Sequence, residues 1–281
     1  MLSPGVPHMD AYARLKEGMK WMWSLGDYAE LAEWLQPHAR SLAEGCELRA
    51  GTRVLDVAAG NGNFALEAAR HGATVTASDL SPRMVELGRA RSDAAGISIE
   101  WLEADAEQLP FAAGRFDVVA SVFGAMFAPR PERIAAELFR VARPGGLVVM
   151  ANYGSVGLFG RLAGLLSSYG PAAPVPLPSP FAWGDPGQVR GRFEGLAASI
   201  QTRQRTLRFQ FGSVEQWLDF WERANPPQLA MKSIVPAEAY RELVQDAARL
   251  AQELNQTPGS GLTLESEYLE VFARKPEQAA T

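Results

Sequence analysis

Five short apolar runs, at residues 52–57, 74–78, 97–103, 116–121 and 147–152, are separated by helical periodicity at 61–71, 81–95 and 131–141. This alternation constrains the fold most. Strands that are apolar on both faces need cover on both faces, and strands joined through helices run parallel. Ser81 and Pro82 give the second of these helices a capping residue and a first-turn proline. The expected architecture is a doubly wound α/β sheet. Ligands of such sheets sit at the carboxyl ends of the strands, where the strand order reverses, and the turn Gly60-Asn61-Gly62-Asn63-Phe64-Ala65 falls there.

The flanks read differently. Residues 10–48 are helical in pattern, with Leu15, Met19, Met22, Leu31, Leu35 and Leu42 spaced as one buried stripe, and the segment WSLGDY at 23–28 interrupts them. Beyond Gly154, residues 155–170 are apolar with helical spacing, and 171–186 are too rich in proline for regular structure. Residues 201–211 alternate as a strand, 213–224 and 236–256 read as helices, and 265–274 form a last strand. The sum is a mostly parallel seven-stranded sheet with an antiparallel last strand and a helical lid inserted over the strand ends.

The turn at 60–65 satisfies G-x-G-x-x-G/A, so a dinucleotide is one reading; alone this signature is weak. Its charges favour another. From Val54 to Ala69 there is no lysine or arginine, only Asp56 and Glu67. A pyrophosphate here would meet an uncompensated carboxylate, and two like charges about 4 Å apart cost on the order of 1 to 4 kcal/mol at effective dielectrics of 80 to 20. Asp79 closes the next strand at the spacing where an acidic residue accepts from a ribose diol, a feature shared by every adenosine cofactor. Asp105, after the third strand, is placed to accept the exocyclic amine of adenine. An adenosine without phosphates that carries positive charge is S-adenosylmethionine, and its product is S-adenosylhomocysteine.

Composition narrows the partners. A formal charge of −5 over 281 residues does not suit nucleic acid or an anionic membrane surface. Cys46 is the one cysteine, so the chain holds no internal disulfide and no cysteine-based zinc site. The N-terminus lacks the apolar core of a signal peptide and no run of about 18 apolar residues occurs. A cytoplasmic protein acting on a small molecule, without metal, nucleic acid or stable membrane insertion, is expected.

The stretches VLDVAAGNGNFA, ASDLSPRMVELGRAR, EADAEQLPF, FDVVASVFGAMFAP and ELFRVARPGGLVVMANY resemble the successive motifs of class I S-adenosylmethionine-dependent methyltransferases, in particular the ubiquinone/menaquinone-biosynthesis branch. The likeness covers about residues 50–153, EYLEVFARKP resembles that family's last strand, and WSLGDY resembles an N-terminal segment that closes over the cofactor. It implies a Rossmann-like fold divided as a helical cap over the cofactor (1–48), a cofactor-binding core (49–153), a lid with one strand (154–258) and a closing strand with tail (259–281). It also implies that Asp56 orders the turn and approaches the cofactor's ammonium through water, while Ala58, Gly60 and Gly62 line the methionine part. Asp79 takes the ribose, Leu80 and Met84 flank the adenine, Asp105 and Ala106 read its edge, Ser121 offers a carbonyl near the ammonium, and Trp23 and Tyr28 close the site. The family commonly has glycine where this chain has Ala58, and alanine permits the same close approach if its φ is negative.

Each assignment has a plainer counterpart. Asp56 could merely cap the turn, Asp79 could start a helix, the glycines could serve packing, and Trp23, Tyr28 and Ser121 could be ordinary packing residues. His71 lies on the edge away from the ligand, His38 reads as a helix-face residue, and His8 falls in the N-terminal tail. No histidine follows the fourth or fifth strand, where an acceptor would sit. Methyl transfer by alignment and desolvation is therefore expected, to a small organic acceptor, aromatic or hydrophobic, at oxygen with carbon or nitrogen left open, and with Asn152 and Tyr153 as orienting groups. The lid aromatics Phe159, Tyr169, Phe181, Trp183, Trp217, Phe220 and Trp221 are core by default, and several facing a pocket would suit a flat or greasy acceptor. Two alternatives stay open: an NAD(P)-dependent oxidoreductase using the same glycine turn, and a cofactor-binding protein without methyl transfer.

Overall fold

In the computed structural model, which describes residues 10–277, seven strands form one sheet in the order β3-β2-β1-β4-β5-β7-β6. They are β1 (Arg53–Val57), β2 (Thr74–Asp79), β3 (Glu100–Glu103), β4 (Phe116–Val122), β5 (Ala142–Gly157), β6 (Ser199–Phe211) and β7 (Leu262–Arg274). The first five pair in parallel, and β7 runs against both β5 and β6. Val54, Leu55, Val57, Val119, Ala120, Val148, Val149 and Met150 are fully buried, as strands covered on both faces require. The order reverses between β1 and β4, so the switch-point crevice opens beyond Val57 and Val122.

Among the described residues, ten α-helices cover the sheet and its upper end: α1 (Ala11–Trp23), α2 (Tyr28–Glu44), α3 (Asn63–Arg70), α4 (Pro82–Ala94), α5 (Pro131–Val141), α6 (Leu158–Tyr169), α7 (Pro186–Arg192), α8 (Val214–Ala224), α9 (Pro226–Ile234) and α10 (Ala237–Leu254). Three departures from the sequence reading have clear causes. Strand β5 runs five residues past Asn152 because β7 lies alongside and pairs as far as Gly157 with Ser266. Helix α9 was not foreseen, although Asn225 caps it by accepting from the Gln228 N–H at 3.1 Å and Pro226 fills its first position. Likewise α7 starts inside the proline-rich stretch, where Asp185 accepts from the Gln188 N–H at 2.8 Å ahead of Pro186.

The N-terminal stripe also needs correction. Leu31, Leu35 and Leu42 of α2 are buried as expected, but Leu15, Met19 and Met22 of α1 are only half-buried, and the buried residue of α1 is Lys16. The reason is what α1 covers: it crosses a cavity and an acidic loop instead of the apolar sheet. On the far edge, Arg205 and Arg208 pair across strands with Glu270 and Glu265, consistent with the alternating pattern of β6. No helix among the described residues is long and apolar enough to cross a membrane. His8 lies outside the described residues.

Candidate active site

Beyond β1 the chain turns sharply so that α3 can start beneath it. Asp56, almost wholly buried, accepts the Ala65 N–H of α3 at 3.0 Å through Oδ2, which fixes the helix to the strand. Gly62 caps α3 with φ +88°, and a Cβ there would stand 2.7 Å from the Trp101 ring, so this glycine serves turn and packing together. Asp79 at the end of β2 accepts the Gly60 N–H at 2.9 Å through Oδ2 and the Ser81 N–H at 2.9 Å through Oδ1. One carboxylate thus ties the glycine turn to the start of α4 while each oxygen keeps a further lone pair for a ligand.

Above these groups lies a partly open, largely apolar cavity. Of the twelve residues expected to contact a cofactor, nine line it: Trp23, Tyr28, Ala58, Gly60, Asp79, Leu80, Met84, Asp105 and Ala106. Asp56, Gly62 and Ser121 stand behind its wall. Ser121 accepts the Ala125 N–H at 2.9 Å and thereby holds the turn after β4. Lys16, Met19, Phe123, Gly124 and Phe127 also line the cavity, and the sequence reading did not single them out.

Ala58 does not take a negative φ. Its φ is +53°, in the left-handed region. Phe123, at the end of the adjoining β4, is likewise left-handed at +55°. Such conformations cost non-glycine residues on the order of 1 to 3 kcal/mol and persist where surrounding structure enforces them. Here the enforcement is mutual, because Gly124 packs directly on the backbone of Ala58 across the switch point.

Electrostatics point to a cationic occupant. Burial raises Asp79 to about 6, against the opposing backbone N–H bonds, and raises Asp56 to about 8, with the nearby Asp79 adding to the shift. Asp56 Oδ1 is buried without a hydrogen-bond partner among the described residues. A positive group nearby would reverse these shifts, whereas a phosphate would deepen them. The cations that do approach come from distant sequence and are spent elsewhere. Arg91 bonds the outer side of the turn through Asn61, Asn63 and Gln36, and Lys16 bridges Asp105 and Glu107. The donor set therefore fits an adenosine bearing an ammonium and a sulfonium.

A second cavity adjoins the first, and Trp23, Tyr28, Phe123 and Phe127 belong to both. Trp23 meets Tyr28 edge-on at 6.2 Å and Phe127 at 5.4 Å, and Phe123 stacks on Tyr153 at 4.3 Å. Tyr153, Phe159, Phe181 and Trp221 complete an aromatic wall. Of the remaining lid aromatics, Trp183, Trp217 and Phe220 are core, and Tyr169 donates to Asp246 at 2.8 Å. Asn152 is buried with its Nδ2 unpartnered and does not line either cavity. Among the described residues lining the second cavity there is no carboxylate, lysine, arginine or histidine; its titratable groups are Tyr28 and Tyr153, both raised well above the ordinary phenol range by burial. His38, on α2, lies 3.0 Å from the Tyr268 hydroxyl and lines neither space.

Residues 55–150 match the model of the methyltransferase domain family. An uncharacterised protein of Mycobacterium tuberculosis is 39% identical over 262 residues, spanning 90% of this chain and 93% of its own. Demethylmenaquinone methyltransferase of Thermus thermophilus is 38% identical over 107 residues, 37% of this chain and 49% of that one. Among solved structures, the YcgJ protein of Bacillus subtilis superposes with a TM-score of 0.60 at 20% identity, over 85% of this chain and 99% of the other.

Proposed function

The chain belongs to the class I S-adenosylmethionine-dependent methyltransferases of the ubiquinone/menaquinone type, and on that footing we propose that it methylates a small, flat, largely apolar acceptor at an oxygen atom. The observation that supports this reading is the second cavity: aromatic and aliphatic, free of ionic side chains among the described residues lining it, and joined to the nucleoside cavity through four shared aromatic residues.

The cofactor, when bound, supplies an electrophilic methyl group on a sulfonium. Everything else falls to the chain. Asp79 accepts from the ribose diol with its remaining lone pairs, Leu80 and Met84 sandwich the adenine, and Asp105 with Ala106 reads its edge. Gly60 and Ala58 pass the methionine portion beneath Phe123, and Asp56 supplies negative charge behind them. The faces of Trp23, Tyr28 and Phe127 surround the junction, where aromatic quadrupoles favour a cation. Placement in a water-poor junction converts the encounter into an oriented one, and effective molarity provides the acceleration.

The wall of the acceptor cavity also bears on the atom methylated. An aliphatic amine would enter protonated, and among the described residues no carboxylate lines the cavity to receive it or take its proton. A phenol or enol ionises at its own pKa by leaving its proton with solvent, because the buried phenols Tyr28 and Tyr153 stay protonated and cannot accept one. Tyr153 is placed as an orienting donor, its hydroxyl held protonated by burial.

The test is a panel of phenols, enols and amines incubated with S-adenosylmethionine, with products followed by mass for the gain of one methylene unit. Phenols or enols should be converted, with a rate that rises through the acceptor's own pKa. Conversion of amines alone would refute the oxygen assignment. S-adenosylhomocysteine should raise the melting temperature by mass action while NADH and NADPH leave it unchanged.

A further inference from the structure

The acidic loop after β3 is held by a side chain from the opposite side of the cavity. Lys16 Nζ lies 2.5 Å from Asp105 Oδ2 and 2.5 Å from Glu107 Oε2. Glu107, whose side chain is wholly buried, also accepts from Arg130 Nε at 2.6 Å and from the Arg130 backbone N–H at 2.7 Å. Two cations thus meet two carboxylates, and the cluster is neutral. The second Asp105 oxygen, Oδ1, accepts the Glu107 N–H at 2.9 Å, so both oxygens are fixed in direction while each retains a free lone pair.

Lys16 is itself only 11% exposed and lines the nucleoside cavity beside Asp105 and Ala106. It is also the buried residue of α1, a 13-residue helix whose apolar side chains are half-exposed. A helix of that length is marginal in isolation. The clamp therefore helps seat α1, together with Lys20 on Glu103 at 2.7 Å, the Arg130 guanidinium over the Tyr12 ring, and the Trp23 ring against Tyr28 and Phe127.

We propose that Lys16 is the positioning residue that makes this site select a 6-aminopurine over a 6-oxopurine. It fixes Asp105 as an acceptor beside the cavity, and nucleoside binding and α1 docking are coupled through that shared carboxylate. An exocyclic amine donates to such an oxygen, whereas a 6-oxo group presents lone pairs to it. Because the clamp is already neutral in charge, the carboxylate calls for a neutral donor. This inference rests on the cofactor reading above.

Calorimetry with S-adenosylhomocysteine and its inosine analogue, on the unaltered chain and on Lys16→Met and Lys16→Arg, provides the test. The unaltered chain should prefer the adenosine compound by about tenfold or more, the scale of one charge-assisted hydrogen bond. Lys16→Met should bring the two affinities within about threefold of each other, and Lys16→Arg should restore most of the preference. Weakening of both ligands by one common factor in Lys16→Met would overturn the inference and leave Lys16 as a helix anchor only. Binding of neither nucleoside by the unaltered chain would instead overturn the cofactor reading. Hydrogen exchange tests the coupling without any variant: at saturation, S-adenosylhomocysteine should slow exchange along α1 more than the inosine analogue, and equal protection by both would overturn the proposal.

Discussion

The contact between Gly124 and Ala58 permits a quantitative test of how the switch point holds its shape. Gly124 has φ −117°, a conformation open to any residue, so replacement by alanine introduces no backbone strain of its own. The obstacle is distance. A Cβ at 124 would lie 2.2 Å from the Ala58 carbonyl oxygen and 2.7 Å from the Ala58 Cβ. Ordinary carbon–oxygen approach is about 3.3 Å, so one strand end must retreat by about 1 Å. The yielding atoms are backbone held by the sheet, and overpacking of this kind costs about 3 kcal/mol, the upper end of the usual range. The smaller entropy of the unfolded alanine chain returns about 0.4 to 1 kcal/mol. The net loss of about 2 kcal/mol should lower the melting temperature by about 4 to 8 °C for a domain of this size. Because the displaced atoms wall the nucleoside cavity, S-adenosylhomocysteine should bind at least tenfold more weakly, a further loss of about 1.4 kcal/mol.

A second substitution separates the two contacts. In Gly124→Ala combined with Ala58→Gly, the contact between Cβ atoms disappears and residue 58 adopts its positive φ without penalty, but the carbonyl at 2.2 Å remains. Rescue should be partial, with less than half of the lost stability returning. Ala58→Gly alone trades relief of about 1 to 2 kcal/mol in left-handed strain against about 0.4 to 1 kcal/mol of chain entropy and about 0.8 kcal/mol of methyl burial, leaving stability within about 1 kcal/mol of the starting chain. Differential scanning fluorimetry with and without S-adenosylhomocysteine reads all three variants. A Gly124→Ala protein melting within 1 °C of the original, with affinity unchanged to within about twofold, would refute the idea that this backbone contact sets the cavity wall.

Three further predictions concern the carboxylates. Asp79→Asn presents an amide N–H₂ where one of the two backbone N–H groups, of Gly60 or Ser81, now finds an acceptor; S-adenosylhomocysteine affinity should fall by about 30- to 100-fold, or about 2 to 3 kcal/mol, and a fall below fivefold in calorimetry would show that Asp79 is a turn anchor only. Burial raises Asp56 to about 8 and Asp79 to about 6, so from about pH 4 to 8 the ligand-free fold binds more protons than the unfolded chain, and its stability should decrease as pH rises through that window. A bound sulfonium and ammonium favour the ionised carboxylates, so S-adenosylmethionine binding should release protons at pH 7 and tighten from pH 6 to 8, more steeply than S-adenosylhomocysteine. Calorimetry in buffers of different ionisation enthalpy measures this directly, and proton uptake would contradict it.

What the sequence disclosed and what it hid divide along a physical line. The apolar runs at β1, β4 and β5 are buried on both faces, and that requirement is written locally, residue by residue. The tie between Gly60 and Asp79 spans one strand-helix-strand unit, so its spacing is legible in the chain. Lys16 and Asp105 are separated by 89 positions, and a lysine in an amphipathic stripe carries no mark of the carboxylate it will meet. The left-handed φ of Ala58 is hidden for a related reason: it is enforced by Gly124, in the turn after β4, and not by alanine's own preference. Helix α9 could have been found, since asparagine followed by proline is a capping signature, but the short helix behind it offers little periodicity to confirm it.

That division follows the function. The nucleoside half of the site is built by β1, β2, β3 and the turns between them, elements adjacent in sequence whose geometry one cofactor dictates. The proposed acceptor half is assembled from α1, α2, the turn after β4, the end of β5, α6, residues 180–181, α8 and the start of α9, most of them far apart in the chain. Only the turn after β4 and the N-terminal helices serve both halves, and there Phe123 is held in a strained conformation with its ring stacked on Tyr153. Strain at that residue is tolerated because Phe123 closes one cavity and opens on the other. A chain could exchange its lid for a different acceptor without disturbing β1 to β3, but it could not move Phe123 without moving the wall of the nucleoside site.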